Sequence, residues 1–298
     1  MKIGLVGVGH WGTNILNTLK RIPDIEIAIC DLKDKLCSDY RKMPKLDACI
    51  IATPADTHYE IAGYMLSKGV NVFIEKPMTK SLKEAIVLND MAKSRGLTIM
   101  VGHTYIYNGA ARELKLNIKS GDLGKIYYIN CRRLKLGKIR DDVDTLWNFA
   151  PHDISMCNWF LDSIPESVSC RSWDFITNKC DVAFLKLYYP DGTKTNIHVS
   201  WLDQNKVREI TVVGDKGMVV FDDTLPQNKL LMVDKVNEIL LDHANVEPLF
   251  AEMVAFIYYL RKGEKPESDG KSGEDVIRVL DAAEKSMHNN GEVCKLMI

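Results

Sequence analysis

Apolar positions in the first part of the chain alternate between two periods. Residues 3–6, 25–30, 48–52, 70–74 and 97–101 are short apolar runs of strand length, and 48–52 is apolar throughout, as a strand buried on both faces requires. Between them lie stretches with helical spacing. In 11–21 the apolar positions are Ile15, Leu16 and Leu19; in 57–68 they are Ile61, Ala62, Met65 and Leu66, with Gly69 as a stop. Ser81 with Glu84 three residues later predicts a capped helix that runs to about Ser94 and closes at Gly96. Repeated strand–helix–strand order implies a parallel sheet with right-handed crossovers.

The rhythm changes after Gly124. Segments 125–136, 207–213, 218–221 and 229–233 are strand-like, and 182–189 and 193–201 flank the turn signal Pro190-Asp191-Gly192. Helical patterns occupy 147–161, 246–261 and a final stretch opening at Ser272 or Gly273, whose inward face is Val276, Ile277, Leu280 and Ala283. The expected fold class is an α/β domain over 1–122 followed by an α+β domain over 123–298 with an open, mostly antiparallel sheet. The final helix is a candidate to pack back on the first domain.

Composition narrows the function classes. The chain has 298 residues, 46% hydrophobic and 27% charged, which fits a folded protein of about two domains. A formal net charge of −1 disfavours nucleic-acid or anionic-membrane binding, which needs a basic surface. The eight cysteines show neither CxxC nor zinc-finger spacing, so no metal is expected and free thiols in a reducing cytoplasm are. The N-terminus opens directly on a strand without a leader pattern, and no apolar run approaches a membrane span of about 18–20 residues.

Gly7-Val8-Gly9-His10-Trp11-Gly12 matches G-x-G-x-x-G and stands between the first strand and the first helix, the context that makes the motif a dinucleotide loop. Gly7 permits the turn, Gly9 lets backbone approach a diphosphate, and Gly12 allows close helix–strand packing. The diphosphate would meet free N–H groups around His10 and Trp11 at the positive end of the helix. Asp31, closing the second strand, is placed to accept hydrogen bonds from the adenosine ribose. A carboxylate there repels a 2′-phosphate, so NAD is favoured over NADP; nearby Lys33 keeps NADP open. The first domain is thus of the Rossmann type.

Three more segments complete a pattern: Ala52-Thr53-Pro54 followed by His58, then Glu75-Lys76-Pro77, then His152-Asp153. With the glycine loop they resemble the Gfo/Idh/MocA family, the glucose–fructose oxidoreductase and inositol dehydrogenase group, over the whole chain. The resemblance implies hydride transfer between a nicotinamide and a carbon bearing a hydroxyl, with Lys76 and His152 as catalytic residues. Lys76 would hydrogen-bond the reacting hydroxyl and orient the cofactor, Glu75 would lie near the nicotinamide side, and His152 would be the acid/base group. Thr53, Pro54 and His58 would belong to the cofactor side, His58 equally to a structural bond. Members often carry an aspartate four residues before this histidine. Asn148 stands there instead, and an amide cannot act as a base.

Substrate contacts are expected from Tyr105 and Asn108 after the last strand of the first domain, and from Arg133, Asn148 and Asp153. Arg132-Arg133-Leu134-Lys135, with Lys138 and Arg140, is a basic stretch that would bind a diphosphate if it lined a cleft. The expected substrate is therefore a nucleotide-linked or phosphorylated sugar. The alternatives are a free, inositol-like polyol, or a dinucleotide sensor without turnover. One face of the open sheet, with Val182, Phe184 and Val199 as candidate residues, is expected to need a partner, giving a homodimer or homotetramer.

Overall fold

The structure, a computed structural model, describes residues 1–33, 37–137, 139, 143–227 and 229–297. It divides into two compact units, Met1–Tyr107 with Glu247–Ile277, and Asn108–Val246 with Arg278–Ile298. The first unit opens with β1 (Lys2–Val6), α1 (His10–Leu19), β2 (Glu26–Cys30), β3 (Ala48–Ile51), α2 (His58–Ser67), β4 (Asn71–Ile74), α3 (Leu82–Arg95) and β5 (Ile99–Val101). The strands form a parallel sheet in the order β2-β1-β3-β4-β5. The continuous apolar run predicted at β3 is buried at every position, as expected for a parallel strand covered on both faces. Ser81 caps α3 by accepting from the Glu84 N–H at 3.3 Å, and Gly96 ends it at φ 63°.

The second unit contains α4 (Gly109–Ser120), β6 (Ile126–Leu134), α5 (Thr145–Leu161), β7 (Ser167–Trp173), β8 (Val182–Tyr188), β9 (Lys194–Ser200), β10 (Val207–Gly214), β11 (Met218–Asp222), β12 (Leu230–Val233) and β13 (Glu238–Leu240). Its sheet runs β13-β12-β11-β10-β6-β9-β8-β7, with the short last strand β14 (Cys294–Lys295) beside β7, and is antiparallel except where β6 pairs with β9. The turn at Pro190-Asp191-Gly192 joins β8 to β9 as an antiparallel pair. Helix α5 packs on β6, β8 and β9. Val182 and Val199, expected on the uncovered face, are buried, whereas Phe184 is 48% exposed; Val199 pairs with Ala183 and so points to the face opposite Phe184, while Val182 shares the face of Phe184.

After Glu247 the chain returns with α6 (Pro248–Lys262) and α7 (Gly270–His288), then ends on β14 (Cys294–Lys295), which pairs with β7. Helix α6 and the first turns of α7 belong to the first unit. Phe256 of α6 meets Phe73 of β4 edge to face with ring centroids 5.5 Å apart, and a β-carbon on Gly273 of α7 would crowd Val101 of β5. The change of unit falls at Tyr107/Asn108 rather than near 122, since α4, capped by Asn108, packs against β11.

Phe256 is fully buried. Phe256→Ala is expected to lower unfolding free energy by about 3–5 kcal/mol, read by urea denaturation; an unchanged midpoint would contradict the packing of α6 on the parallel sheet.

Candidate functional site

Parallel register sets the geometry. Val6 pairs with Cys30 and with Ile51, Ile51 with Ile74, and Ile74 with Val101, so all five strands finish level. The residues that follow them, Gly7, Asp31, Ala52, Glu75 and Gly102, therefore line one carboxyl edge. This is the edge where open α/β sheets bind ligands.

Gly7 adopts φ 90°, where an L side chain is strained, and a β-carbon there would stand 2.8 Å from the Ala52 carbonyl oxygen. A β-carbon on Gly12 would collide with the Gly7 carbonyl oxygen. A β-carbon on Gly9 would meet nothing within 4 Å, so the loop keeps open space above its backbone. No side chain caps α1, whose N-cap is Gly9. Open space over an uncapped helix N-terminus fits a diphosphate, and His10 and Trp11 of its first turn are exposed. Asp31 Oδ2 accepts from the Val8 N–H at 2.7 Å and Oδ1 from the Lys33 N–H at 2.9 Å. These two bonds hold its carboxyl below the usual carboxylate range. Asp31 thus fixes the glycine loop and remains an ionised acceptor at the end of β2.

The loops after β3 and β4 are tied by one histidine. His58 is buried, with Nδ1 2.9 Å from the Pro77 oxygen and Nε2 3.0 Å from the Thr53 oxygen. Of the two readings for His58, the structural bond is the one these contacts give. Thr53 also receives a hydrogen bond from Thr57 Oγ1 at 2.6 Å, and Pro54 leads into the turn before α2. The Lys76–Pro77 peptide is cis, and Lys76 is half-buried.

Glu75 is the group the sequence left least defined. Its Oε1 accepts from the Trp11 indole N–H at 2.6 Å and its Oε2 from the Lys76 N–H at 3.2 Å. The glycine loop and the Glu-Lys-Pro segment are therefore joined through a side chain of α1. Burial pushes the Glu75 carboxyl up to about 7, against the lowering effect of the indole bond and of Lys76. Two residues that sequence reasoning did not place in the site lie beside it. His103 is 2% exposed, and neither ring nitrogen has a hydrogen-bond partner among the described residues. Burial, with the Lys76 charge, lowers its imidazole to about 3, so it is neutral. Glu252 of α6 is fully buried and accepts from Thr104 Oγ1 at 2.7 Å.

The expected substrate contacts divide. Tyr105 is half-buried in the turn Thr104–Tyr107 that follows β5. Asn108 is instead the N-cap of α4: its Oδ1 accepts from the Ala110 N–H at 2.9 Å, its Nδ2 donates to Asp223 at 3.2 Å, and it is buried. Arg133 and Asp153 find each other. Arg133 Nε donates to Asp153 Oδ2 at 2.9 Å and Nη2 to Oδ1 at 2.8 Å, with the side chains 8% and 1% exposed. Such a bidentate pair joins β6 to α5 and does not offer the guanidinium to a diphosphate. Arg132, on the opposite face, bonds Glu209 of β10 at 2.9 Å. Lys135 is exposed, while Lys138 and Arg140 lie outside the described residues.

Helix α5 begins at Thr145, where the Asp144 carboxylate accepts from the Trp147 N–H at 2.9 Å. It carries Asn148 and His152, both half-buried. Pro151, inside the helix, has no N–H to give the carbonyl of Trp147. The turn bearing His152 is held instead by its neighbour Asp153, through the Arg133 pair, and by Ser155 Oγ donating to the His152 carbonyl at 2.8 Å.

Comparison with known proteins agrees with both units. Residues 24–103 match a family profile described as "Oxidoreductase family, NAD-binding Rossmann fold", and 111–220 match the "GFO/IDH/MocA C-terminal domain". The chain is similar to UDP-N-acetylglucosamine 3-dehydrogenase of Acidithiobacillus ferrooxidans, 26% identical over 71% of each chain. It is also similar to myo-inositol 2-dehydrogenase of Thermotoga maritima, 22% identical over 98% of each. The solved structure of the Acidithiobacillus enzyme superposes with a TM-score of 0.86 at 23% identity, over 97% of this chain and 98% of that one. An inositol dehydrogenase homologue from Azotobacter vinelandii, solved with NADH and myo-inositol, gives 0.84 at 17% identity, over 99% and 97%.

Asp153→Asn removes the charge opposite a buried guanidinium and is expected to cost about 3–5 kcal/mol of unfolding free energy. Chemical denaturation checks this; a cost within measurement error would mean that Arg133 reaches water or another partner.

Proposed function

Because the chain belongs to the Gfo/Idh/MocA family of NAD-dependent oxidoreductases, we propose that it transfers a hydride between NAD and a hydroxyl-bearing carbon of a nucleotide-linked sugar. The observation that carries this reading is the carboxyl edge of one parallel sheet, which gathers the open glycine loop, Asp31, Glu75 and Lys76. Bound NAD supplies the hydride acceptor, and NADH the donor in the reverse direction. The backbone of Gly7 to Gly12 holds the diphosphate, and the Asp31 carboxylate accepts from the ribose hydroxyls and disfavours the extra phosphate of NADP. The Lys76 ammonium holds the reacting oxygen. His152, on the second unit, is the proposed acceptor of the hydroxyl proton, a task that an imidazole side chain can perform.

The nucleotide-sugar class rests on the similarity to a UDP-N-acetylglucosamine dehydrogenase rather than on the basic strand, whose Arg132 and Arg133 are already paired. A free polyol is the second reading, favoured by the similarity to a myo-inositol dehydrogenase. A sensor without turnover would have no use for Lys76 and His152 together. No helix among the described residues is long and apolar enough to cross a membrane, and all eight cysteines are free thiols. A reducing, cytoplasmic setting is the location proposed, on the free thiols.

The uncovered face of the second sheet carries Trp173 and Phe184, 43% and 48% exposed, with Phe184 stacked on His198 at 4.1 Å. We propose that this face joins copies of the chain. Phe184→Glu is expected to shift the sedimentation coefficient to that of a monomer; a wild type that already sediments as a monomer would overturn this.

Nicotinamide absorbance, followed with NAD and with NADP against free sugars, inositols, sugar phosphates and nucleotide sugars, tests the activity. Turnover with NAD is expected, falling by roughly 10²–10⁴-fold in Lys76→Ala and in His152→Ala. Tight dinucleotide binding without turnover on every substrate would favour the sensor.

A further inference from the structure

Helix α6 carries an apolar stripe, Leu249, Met253, Phe256 and Ile257, all buried. Glu252 lies on the same face and is 0% exposed. A carboxyl has no place on such a stripe unless the fold uses it. Its surroundings are those of a neutral acid. Oε2 accepts a single hydrogen bond, from Thr104 Oγ1, and Oε1 has no hydrogen-bond partner among the described residues. An ionised carboxylate so poorly solvated would be very costly, whereas the protonated form costs far less.

A second carboxyl stands opposite. Phe256 of α6 packs on Phe73 of β4. One helical turn back from Phe256 is Glu252, and two residues on from Phe73, just past the end of β4, is Glu75. The two acids thus repeat the register of the two rings, one step nearer the carboxyl edge. Room for the Glu75 carboxyl comes from Gly102, where a β-carbon would stand 3.0 Å from it. The two acids differ in their donors. Both Glu75 oxygens accept N–H bonds, from Trp11 and from Lys76, and both bonds favour its ionised form against burial.

The geometry points to one protonation pattern. We propose that Glu252 is kept as a protonated, uncharged carboxylic acid, a positioning residue that leaves Glu75 as the one carboxylate presented to Lys76. The role at Lys76 rests on the reading of that lysine given above; the protonation does not. The other titratable groups around the pair agree. His103 is a neutral imidazole, and Tyr107, whose hydroxyl meets Ser268 Oγ at 3.1 Å, is pushed up by burial. From α1, Arg21 pairs with Glu247 at the exposed start of α6. Burial first, then the facing Glu75 charge, push Glu252 well above the carboxylate range.

The test uses the full chain labelled with carboxyl-¹³C glutamate and infrared difference spectroscopy. At about pH 8 the wild type is expected to keep one carboxylic-acid C=O band, and Glu252→Gln to lose it. Its absence in the wild type, or its persistence in Glu252→Gln, would overturn the proposal. Stability gives a second signature. A folded acid whose pKa lies above the unfolded 4.5 loses stability as pH rises from 4.5 through its folded value. Glu252→Gln removes that loss, so its urea midpoint should rise relative to the wild type as pH increases. A merely structural Glu252 would leave a constant deficit at every pH. Should Glu252→Gln not fold, Glu75→Gln decides: without the facing charge, Glu252 should deprotonate about one pH unit lower or more, and an unmoved titration refutes the pairing. Absence of turnover on every substrate would touch the role of Lys76 and leave the band unaffected.

Discussion

Parallel strands must all end at the same edge of their sheet, and in the first unit they end level. That constraint does the work of assembly: five loops distant in sequence reach one line because Val6, Cys30, Ile51, Ile74 and Val101 share a register. The glycine loop needs a turn there, Asp31 needs a backbone donor, and Glu75 needs enough donors to be ionised while buried. Each need is met by a neighbour on the same edge. The Val8 N–H serves Asp31, the Trp11 indole serves Glu75, and His58 bridges the Thr53 and Pro77 carbonyls. Four of the five loops form one hydrogen-bonded rim rather than independent connections.

The second unit solves a different problem. Helix α5 carries His152, the proposed proton acceptor, on a turn weakened by Pro151. A bidentate ion pair between Arg133 and Asp153, buried against the sheet, fixes that turn. The pair adds little stability over an apolar substitute, but it specifies orientation, because a guanidinium–carboxylate fork has one good geometry.

The alternation of strands and helices in the first unit was legible because each element carries its own period, and the site edge followed from the order of elements. What sequence misread was partnership. Asn108 looked like a substrate contact and is a helix cap; Asn before Gly-Ala-Ala, with Gly121 past the end, is a start-and-stop signal for α4 that went unread. Arg133 looked like an anion site because its partner is 20 positions away. Strand β7, Ser-Val-Ser-Cys-Arg-Ser-Trp, alternates correctly but with small polar residues that carry little signal. Glu252 could have been found: a lone acid on the stripe of Leu249, Met253 and Phe256 marks either an error of phase or a buried group with a task.

Several contacts of the first unit are made with residues that the ribosome adds late. Phe73 waits for Phe256, Thr104 for Glu252, Tyr107 for Ser268, and Asn89 for Gly270 and Glu274. At roughly 5–20 residues per second, the stretch between Tyr107 and Glu247 takes on the order of ten seconds or more to synthesise. Throughout that interval the nascent sheet exposes the apolar face that α6 will cover. The dinucleotide-binding half, although first in the chain, is thus among the last parts to be completed, and the growing polypeptide offers chaperones a defined hydrophobic surface for as long as its closing helix is unmade.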